Sequence, residues 1–336
     1  MFDIILFSKK WKGIIRMDYV LWIVLLLVGF VLLIKGADMF VDGSSSVAKI
    51  LKVPSVIIGL TIVALGTSFP EAAVSITASI QGKNEMALSN IIGSNTFNLL
   101  MVIGISAFIK AFAVDQDIKK RDLPFNILLT AVLLFFTFTG RKIGRLEGII
   151  FIIILIGYIW ILIKSALKNK IEEEAVAMSV PKSILFILIG VVAIIGGGQL
   201  VVNNASAIAS ELGLSDLFIG LTIVAIGTSL PELVTSVVAA KKGESGLALG
   251  NAVGSSILNI LFILGFSTVL SPISVVSAEF FKVMIDIIIL LIVSMILQVF
   301  CVTRDKVSKF EGVICVLLYM GYMAFVIIRT VSLFVS

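Results

Sequence analysis

Apolar runs of about 20 residues follow one another along almost the whole chain, near residues 20–37, 54–80, 86–109, 123–140, 146–164, 183–203, 216–240, 245–271, 280–301 and 310–330. A helix needs that length to cross roughly 30 Å of hydrocarbon, and inside lipid every backbone N–H and C=O must find its partner within the protein. The sequence therefore reads as an all-α integral membrane protein of ten transmembrane helices. Its 59% of hydrophobic residues exceeds the roughly 45–50% of soluble domains. With no histidine and only Cys301 and Cys315, disulfide frameworks, zinc sites, haem ligation and histidine proton relays are disfavoured. The net charge of +5 reads as basic loops beside an anionic leaflet, not as a nucleic-acid surface.

Against this background one stretch stands out. Residues 59–71 read GLTIVALGTSFPE, and residues 220–232 read GLTIVAIGTSLPE. Each puts a proline and a glutamate inside what should be a span. Residues 59–104 align without a gap on 220–265, with 22 of 46 positions identical. This is an internal repeat. Five spans per half make the second copy enter from the opposite side, so the fold is expected to be two inverted five-helix repeats with broken helices at the midplane, the architecture of secondary transporters.

Pro70 lacks an N–H and frees the carbonyl of Gly66, and Pro231 does the same for Gly227. Around the first break Ala64, Thr67, Ser68, Glu71 and Ser75 recur at helical spacing, and Ala225, Thr228, Ser229, Glu232 and Ser236 repeat the pattern. The next span of each half adds a polar face: Asn90, Ser94 and Asn98 in SNIIGSNTFN, and Asn251, Ser255 and Asn259 in GNAVGSSILN. Gly93 and Gly254 are placed to let helices approach. Two carboxylates, amides, hydroxyls and carbonyls, with basic residues kept away, form the oxygen-only shell that hard cations such as Ca²⁺ and Na⁺ take. Two intramembrane glutamates each cost about 2.5–3.5 kcal/mol or more, which bound positive charge would offset. A cation antiporter, a proton-coupled exchanger and a channel all remain compatible with such a shell. Inverted repeats within one chain favour a carrier over a subunit-ring pore, and no Ser–His, His–metal or Asp-dyad arrangement suggests an enzyme.

The paired GTSFPE and GTSLPE motifs, each followed by SNIIGSNTFN or GNAVGSSILN, resemble the two alpha repeats of the sodium/calcium exchanger family of calcium/cation antiporters. The resemblance implies Na⁺/Ca²⁺ antiport by alternating access, electrogenic, with the first and sixth spans sliding over an eight-helix core. By motif position it implies that Glu71, Asn98, Glu232 and Asn259 form the centre of the site. It further implies that Ala64, Thr67, Ser68, Ser94, Ala225, Thr228, Ser229 and Ser255 supply side-chain or carbonyl oxygens. Asn259 stands where potassium-dependent members carry Asp, which argues against a K⁺ requirement. A proton-coupled Ca²⁺/cation exchanger is the alternative. No cofactor is expected beyond the transported Ca²⁺ and Na⁺, and no partner beyond these ions and the bilayer.

The expected division is a basic N-terminal extension over residues 1–16, a first repeat over 17–165, a charged linker over 166–182 and a second repeat over 183–336. The extension reads either as a surface-lying piece or as sequence ahead of a true start at Met17. One set of loops carries fifteen Lys and Arg against ten on the other side, placing the linker in the cytoplasm and the protein in the plasma (inner) membrane. Asp286 is expected to pair at the interface with Lys282, and Glu147 and Glu311 to cap the starts of their helices.

Overall fold

Small residues, not large ones, set the architecture. The computed structural model describes residues 17–140, 142–168, 178–213, 223, 225–274 and 277–335. The first helix, α1, is Met17–Leu51. The next crossing is assembled from α2 (Ser55–Ile58), a π-helical turn (Gly59–Val63), α3 (Ala64–Thr67) and α4 (Phe69–Ile80). It bends by 53° between Ser55–Thr67 and Phe69–Ile80. The third combines α5 (Asn84–Phe97), a second π-helical turn (Asn98–Val102) and α6 (Ile103–Ile109). A π-helical entry (Ile118–Asp122) leads into α7 (Leu123–Gly140), and α8 (Arg145–Lys168) closes the first half.

The second half opens with α9 (Val180–Glu211). Its broken helix contributes α10 (Ala225–Thr228) and α11 (Leu230–Lys242). Then follow α12 (Ser245–Leu258), a π-helical stretch (Asn259–Leu264) and α13 (Gly265–Leu270). The chain ends with α14 (Ser277–Arg304) and α15 (Lys309–Val335). Among the described residues, eight helices are long and apolar enough to cross a membrane, and the bent pair makes a ninth crossing if taken as one span. The crossing expected at 216–240 lies partly outside the described residues. The linker reading likewise falls mostly outside them.

Two expected boundaries are corrected. The first span was expected at 20–37 with a loop after it, yet α1 continues to Leu51; the sixth, expected at 183–203, belongs to a helix running from Val180 to Glu211. Hydropathy marks where lipid contact ends. Lys35, Asp38 and Asp42 end the apolar stretch without breaking the helix, because none of them removes a backbone hydrogen bond.

α1 and α9 pack antiparallel along a seam of glycines. A Cβ on Gly29 would meet the Gly197 carbonyl oxygen at 2.8 Å, one on Gly36 would meet Ala193 Cβ at 2.8 Å, and one on Gly43 would meet the Ser183 carbonyl oxygen at 2.8 Å. Lipid tails are as apolar as leucine, so close backbone contact of this kind replaces the hydrophobic drive of soluble proteins. Gly246, Gly250 and Gly254 form a second seam, along which α12 lies on residues 55–64. Gly254 thus has the close-packing role expected of it. At Gly93, expected to do the same, a Cβ would meet nothing within 4 Å among the described residues.

These contacts bury two helical rods at the centre. Along their apolar stretches, 78% of Met86–Ile109 and of Ser245–Leu270 is buried, against 22–39% for the other long helices. Two short antiparallel ribbons tie the halves together: β1 (Phe112–Ala113) pairs with β4 (Lys306–Val307), and β2 (Lys142–Ile143) with β3 (Ile273–Ser274). An ion pair between Lys119 and Asp305 closes the first ribbon, and the ammonium holds the Asp305 carboxyl below the usual carboxylate range. Lys242 at the end of α11 grips α1 through Asp38 at 2.8 Å and Asp42 at 2.7 Å.

The acids expected to be structural have partners. Glu147 and Glu311 accept from the N–H groups of Gly144 and Ser308 at 2.9 and 2.7 Å; the Ser308 hydroxyl also accepts from the Glu311 N–H at 3.3 Å, which completes a capping box at that helix start alone. Asp286 receives a two-pronged bond from Arg329 of α15, at 3.1 and 2.8 Å. Its ion pair is thus made between helices, with Arg329 in place of the expected Lys282, because α15 packs alongside and brings a guanidinium within reach. Cys301 and Cys315 are buried thiols.

The glycine seam yields a direct test. Gly250→Leu puts a side chain where a Cβ already lies 2.7 Å from the Val56 carbonyl oxygen. It should destabilise the protein by about 1–3 kcal/mol or more. Gly157→Leu, at a glycine with nothing within 4 Å, should melt like the parent. Equal melting temperatures in detergent for both variants would exclude the seam.

Candidate functional site

Pro70 and Pro231 start helices here instead of interrupting them. The chain leaves the helical conformation at Ser68 (φ −83°, ψ 7°) and at Ser229 (φ −94°, ψ 8°), and each proline then occupies the opening turn of the following helix. A missing N–H costs nothing at that position. Glu71 and Glu232 sit in the same first turns. There the positive end of the helix dipole favours a carboxylate.

Both glutamates are fully buried, and each is held from the other half of the chain. Ser68 Oγ donates to Glu232 Oε1 at 2.9 Å, and Ser229 Oγ donates to Glu71 Oε1 at 2.8 Å. The repeat offset of 161 relates one bond to the other residue for residue. Ser94 Oγ lies 3.2 Å from Ser229 Oγ, while Ser255 Oγ lies 3.5 Å from Glu232 Oε1 and 3.5 Å from the Ala64 carbonyl oxygen. One oxygen of each carboxylate is thereby engaged. Glu71 Oε2 and Glu232 Oε2 are buried with no hydrogen-bond partner among the described residues.

The two amides behave in a related way. Asn98 and Asn259 are fully buried and each opens a π-helical stretch. Such bulges widen a helix by one residue per turn and recur at functional sites. Asn98 Oδ1 and Nδ2 and Asn259 Oδ1 have no hydrogen-bond partner among the described residues. Buried polar atoms are normally paired, so four partnerless oxygens at two symmetry-related pairs of positions require an explanation. A hard cation is one ligand that takes oxygen lone pairs and nothing else.

Other expected residues take supporting places. Thr67 Oγ1 donates to Asn251 Oδ1 at 3.0 Å or to the carbonyl oxygen of Val63 or Ala64, at 3.2 and 3.4 Å. Asn90 Nδ2 donates to Ser75 Oγ at 2.9 Å, and Asn251 Nδ2 donates to Ser236 Oγ at the same distance. These four form matched cross-links one layer out, between each broken helix and its neighbour. Ala64 is buried, Thr228 is half-buried, and Ala225 opens α10. Among the described residues no group of three or more His, Cys, Asp or Glu side chains could hold a metal ion. The acids brought together at this centre are two, Glu71 and Glu232, and the groups around them are neutral.

Asn95 was not singled out from the sequence. It lies next to Ser94, fully buried, and links Asn259 to the backbone at Ser256. Its signal in the sequence is slight: the repeat reads GSN in the first half and GSS in the second.

A profile of the sodium/calcium exchanger protein family matches residues 21–164 and 182–328 of this chain. The chain belongs to the sodium/calcium exchanger family. Membership makes it a multi-pass membrane antiporter for cations rather than a member of an enzyme family. Among its relatives are a putative antiporter, CaxA, of Alkalimonas amylolytica, 39% identical over 89% of this chain and 96% of that protein. The sodium/calcium exchanger MaX1 of Methanosarcina acetivorans is 34% identical over 89% of this chain and 96% of that protein. The inner membrane protein YrbG of Escherichia coli K12 is 31% identical over 84% of this chain. The solved structure of the sodium-calcium exchanger NCX_Mj, soaked with Na⁺ and Sr²⁺, matches with a TM-score of 0.80 at 31% identity, covering 91% of this chain and 99% of that one.

The geometry generates a binding test. Glu71→Gln and Glu232→Gln keep an oxygen that can accept the serine proton, so both should fold. Ca²⁺ at a hundredfold its Kd should stabilise the parent by about 2.7 kcal/mol and neither variant measurably. A variant stabilised like the parent would remove its glutamate from the site.

Proposed function

We propose that this chain exchanges Na⁺ for Ca²⁺ across the inner membrane by alternating access, electrogenically and without K⁺. The observation that carries the reading is the set of four buried oxygens, on Glu71, Glu232, Asn98 and Asn259, that have no hydrogen-bond partner among the described residues. They sit at the positions that the family resemblance assigns to the centre of the ion site. Ser68, Ser229, Thr67, Thr228, Ser94 and Ser255, with the carbonyls of Ala64 and Ala225, complete the ligand set.

The coupling follows from electrostatics. Two ionised glutamates in a water-poor centre repel each other and lack hydration, so the unloaded site resists the rearrangement that carries it across. One Ca²⁺ balances both charges, and several Na⁺ do the same. Either load permits the switch. The empty site does not, which gives exchange in place of leak. The reciprocal Ser–Glu bonds support the inverted relation of the halves, residues 17–165 and 183–336, joined by the 166–182 linker on the cytoplasmic side. The glycine seam supports the pairing of α1 with α9 as one unit able to slide over the rest.

Potassium independence rests on Asn259, where an aspartate would add a third charge. No resident cofactor enters the scheme, and the ions are the substrates.

The decisive experiment is ⁴⁵Ca²⁺ uptake into Na⁺-loaded proteoliposomes diluted into Na⁺-free buffer. Uptake should require internal Na⁺, be accelerated by an inside-negative potential if Ca²⁺ entry is balanced by fewer positive charges leaving, or by an inside-positive one if more leave, and fall at least a hundredfold in Glu71→Gln. Uptake driven by a pH gradient alone would replace this reading with proton coupling. Asn259→Asp should change the dependence on K⁺ or pH; an unaltered ion profile would remove Asn259 from the ion path.

A further inference from the structure

We infer that Asn95 is the positioning residue that turns the side-chain oxygen of Asn259 toward the cation, and that it makes the two amides of the site unequal. The inference rests on the reading of Asn259 as an ion ligand. Its ground is the polarity of a short chain of hydrogen bonds that begins at the backbone.

Asn95 Nδ2 donates to the carbonyl oxygen of Ser256 at 3.0 Å, and Asn259 Nδ2 donates to Asn95 Oδ1 at 2.9 Å. A carbonyl oxygen can only accept. Asn95 must therefore aim its NH₂ at Ser256, which leaves its oxygen facing Asn259. Asn259 must answer with its own NH₂. The oxygen of Asn259 is then directed away from Asn95, and it is one of the four buried oxygens with no partner among the described residues. Amide orientation is usually open to a flip, but here the backbone end of the relay fixes both members.

The other half has no such device. The residue related to Asn95 by the repeat is Ser256, and its hydroxyl bonds back to the Ala252 carbonyl oxygen at 3.0 Å within its own helix. Neither polar atom of Asn98 has a partner among the described residues. Asn98 can present oxygen or NH₂ to the site, whereas Asn259 presents oxygen only. The relay also selects the residue at 259: an ionised aspartate there would put a carboxylate oxygen against Asn95 Oδ1, a contact with no proton in it. Asn95 would have to give up Ser256 to accommodate it.

The test is a double-mutant cycle on Ca²⁺ uptake in proteoliposomes, with parent, Asn95→Ser, Asn259→Ser and the double variant. Serine is the residue that the repeat itself places at the Asn95 position. Asn95→Ser should raise the KM for Ca²⁺ about fivefold while the maximal rate stays within about twofold. The double variant should be no worse in KM than Asn259→Ser alone, because Asn95 acts through Asn259. Independent, multiplying effects, or an unchanged KM in Asn95→Ser, would overturn the inference; if that variant does not fold, Asn95→Ala enters the same cycle. A parent that exchanges Ca²⁺ for protons but keeps the coupling would sink the Na⁺ reading and leave Asn95 in place. A parent that neither transports nor is stabilised by Ca²⁺ would overturn both.

Discussion

Everything in this molecule is arranged around two carboxylates held where water does not reach. Glu71 and Glu232 are fully buried, and each is bonded by a serine from the opposite half. A buried carboxylate costs several kcal/mol unless dipoles, hydrogen bonds or counter-charge meet it. The helix starts at Pro70 and Pro231 supply dipoles, Ser68 and Ser229 supply one bond each, and one oxygen of each carboxylate has no hydrogen-bond partner among the described residues, a partner that the proposed cation would provide. The exchange of serines makes each half incomplete without the other. Neither carboxylate site can form until both broken helices have docked.

That docking depends on close backbone approach. The glycine seam of α12 brings residues 55–64 against the central rods, and the seam between α1 and α9 joins two long helices that lie at the outside. Lipid offers no hydrophobic penalty for leaving these helices apart, so shape and small side chains must do what burial of large side chains does in water. The same seams leave side chains on the outer helices free to face lipid. Polar side chains collect inside, in matched layers: Glu and Asn at the centre, then the Asn90–Ser75 and Asn251–Ser236 cross-links.

The repeat gives the site approximate symmetry, and single substitutions within it give the site direction. Asn95 against Ser256 separates the two amides. Asp38 and Asp42, gripped by Lys242, correspond by the repeat offset to Gln199 and Asn203, which bond to each other at 2.7 Å. An ionic clasp at one end of the antiparallel α1–α9 pair is matched by a neutral pair at the other. A transporter with two identical faces would have no preferred resting side, and these charge differences are where such a preference can reside.

The twenty-residue apolar runs, the 161-residue repeat and the doubled Pro–Glu motif determined membrane insertion, the broken helices and the identity of the two acids, because hydropathy, spacing and charge cost are local properties of a chain in lipid. Helix ends were not legible in the same way: α1 outruns its apolar stretch to Leu51, since polar residues end lipid contact without ending backbone hydrogen bonding. The partner of Asp286 on α15 and the glycine seams required two helices to be set side by side. Asn95 was invisible because its meaning lies in a carbonyl 161 residues away. The sequence by itself determined which oxygens are present and that they must be compensated; only the tertiary structure decided which of them are bonded to each other and which have no partner among the described residues, because that depends on cross-half contacts no local pattern encodes.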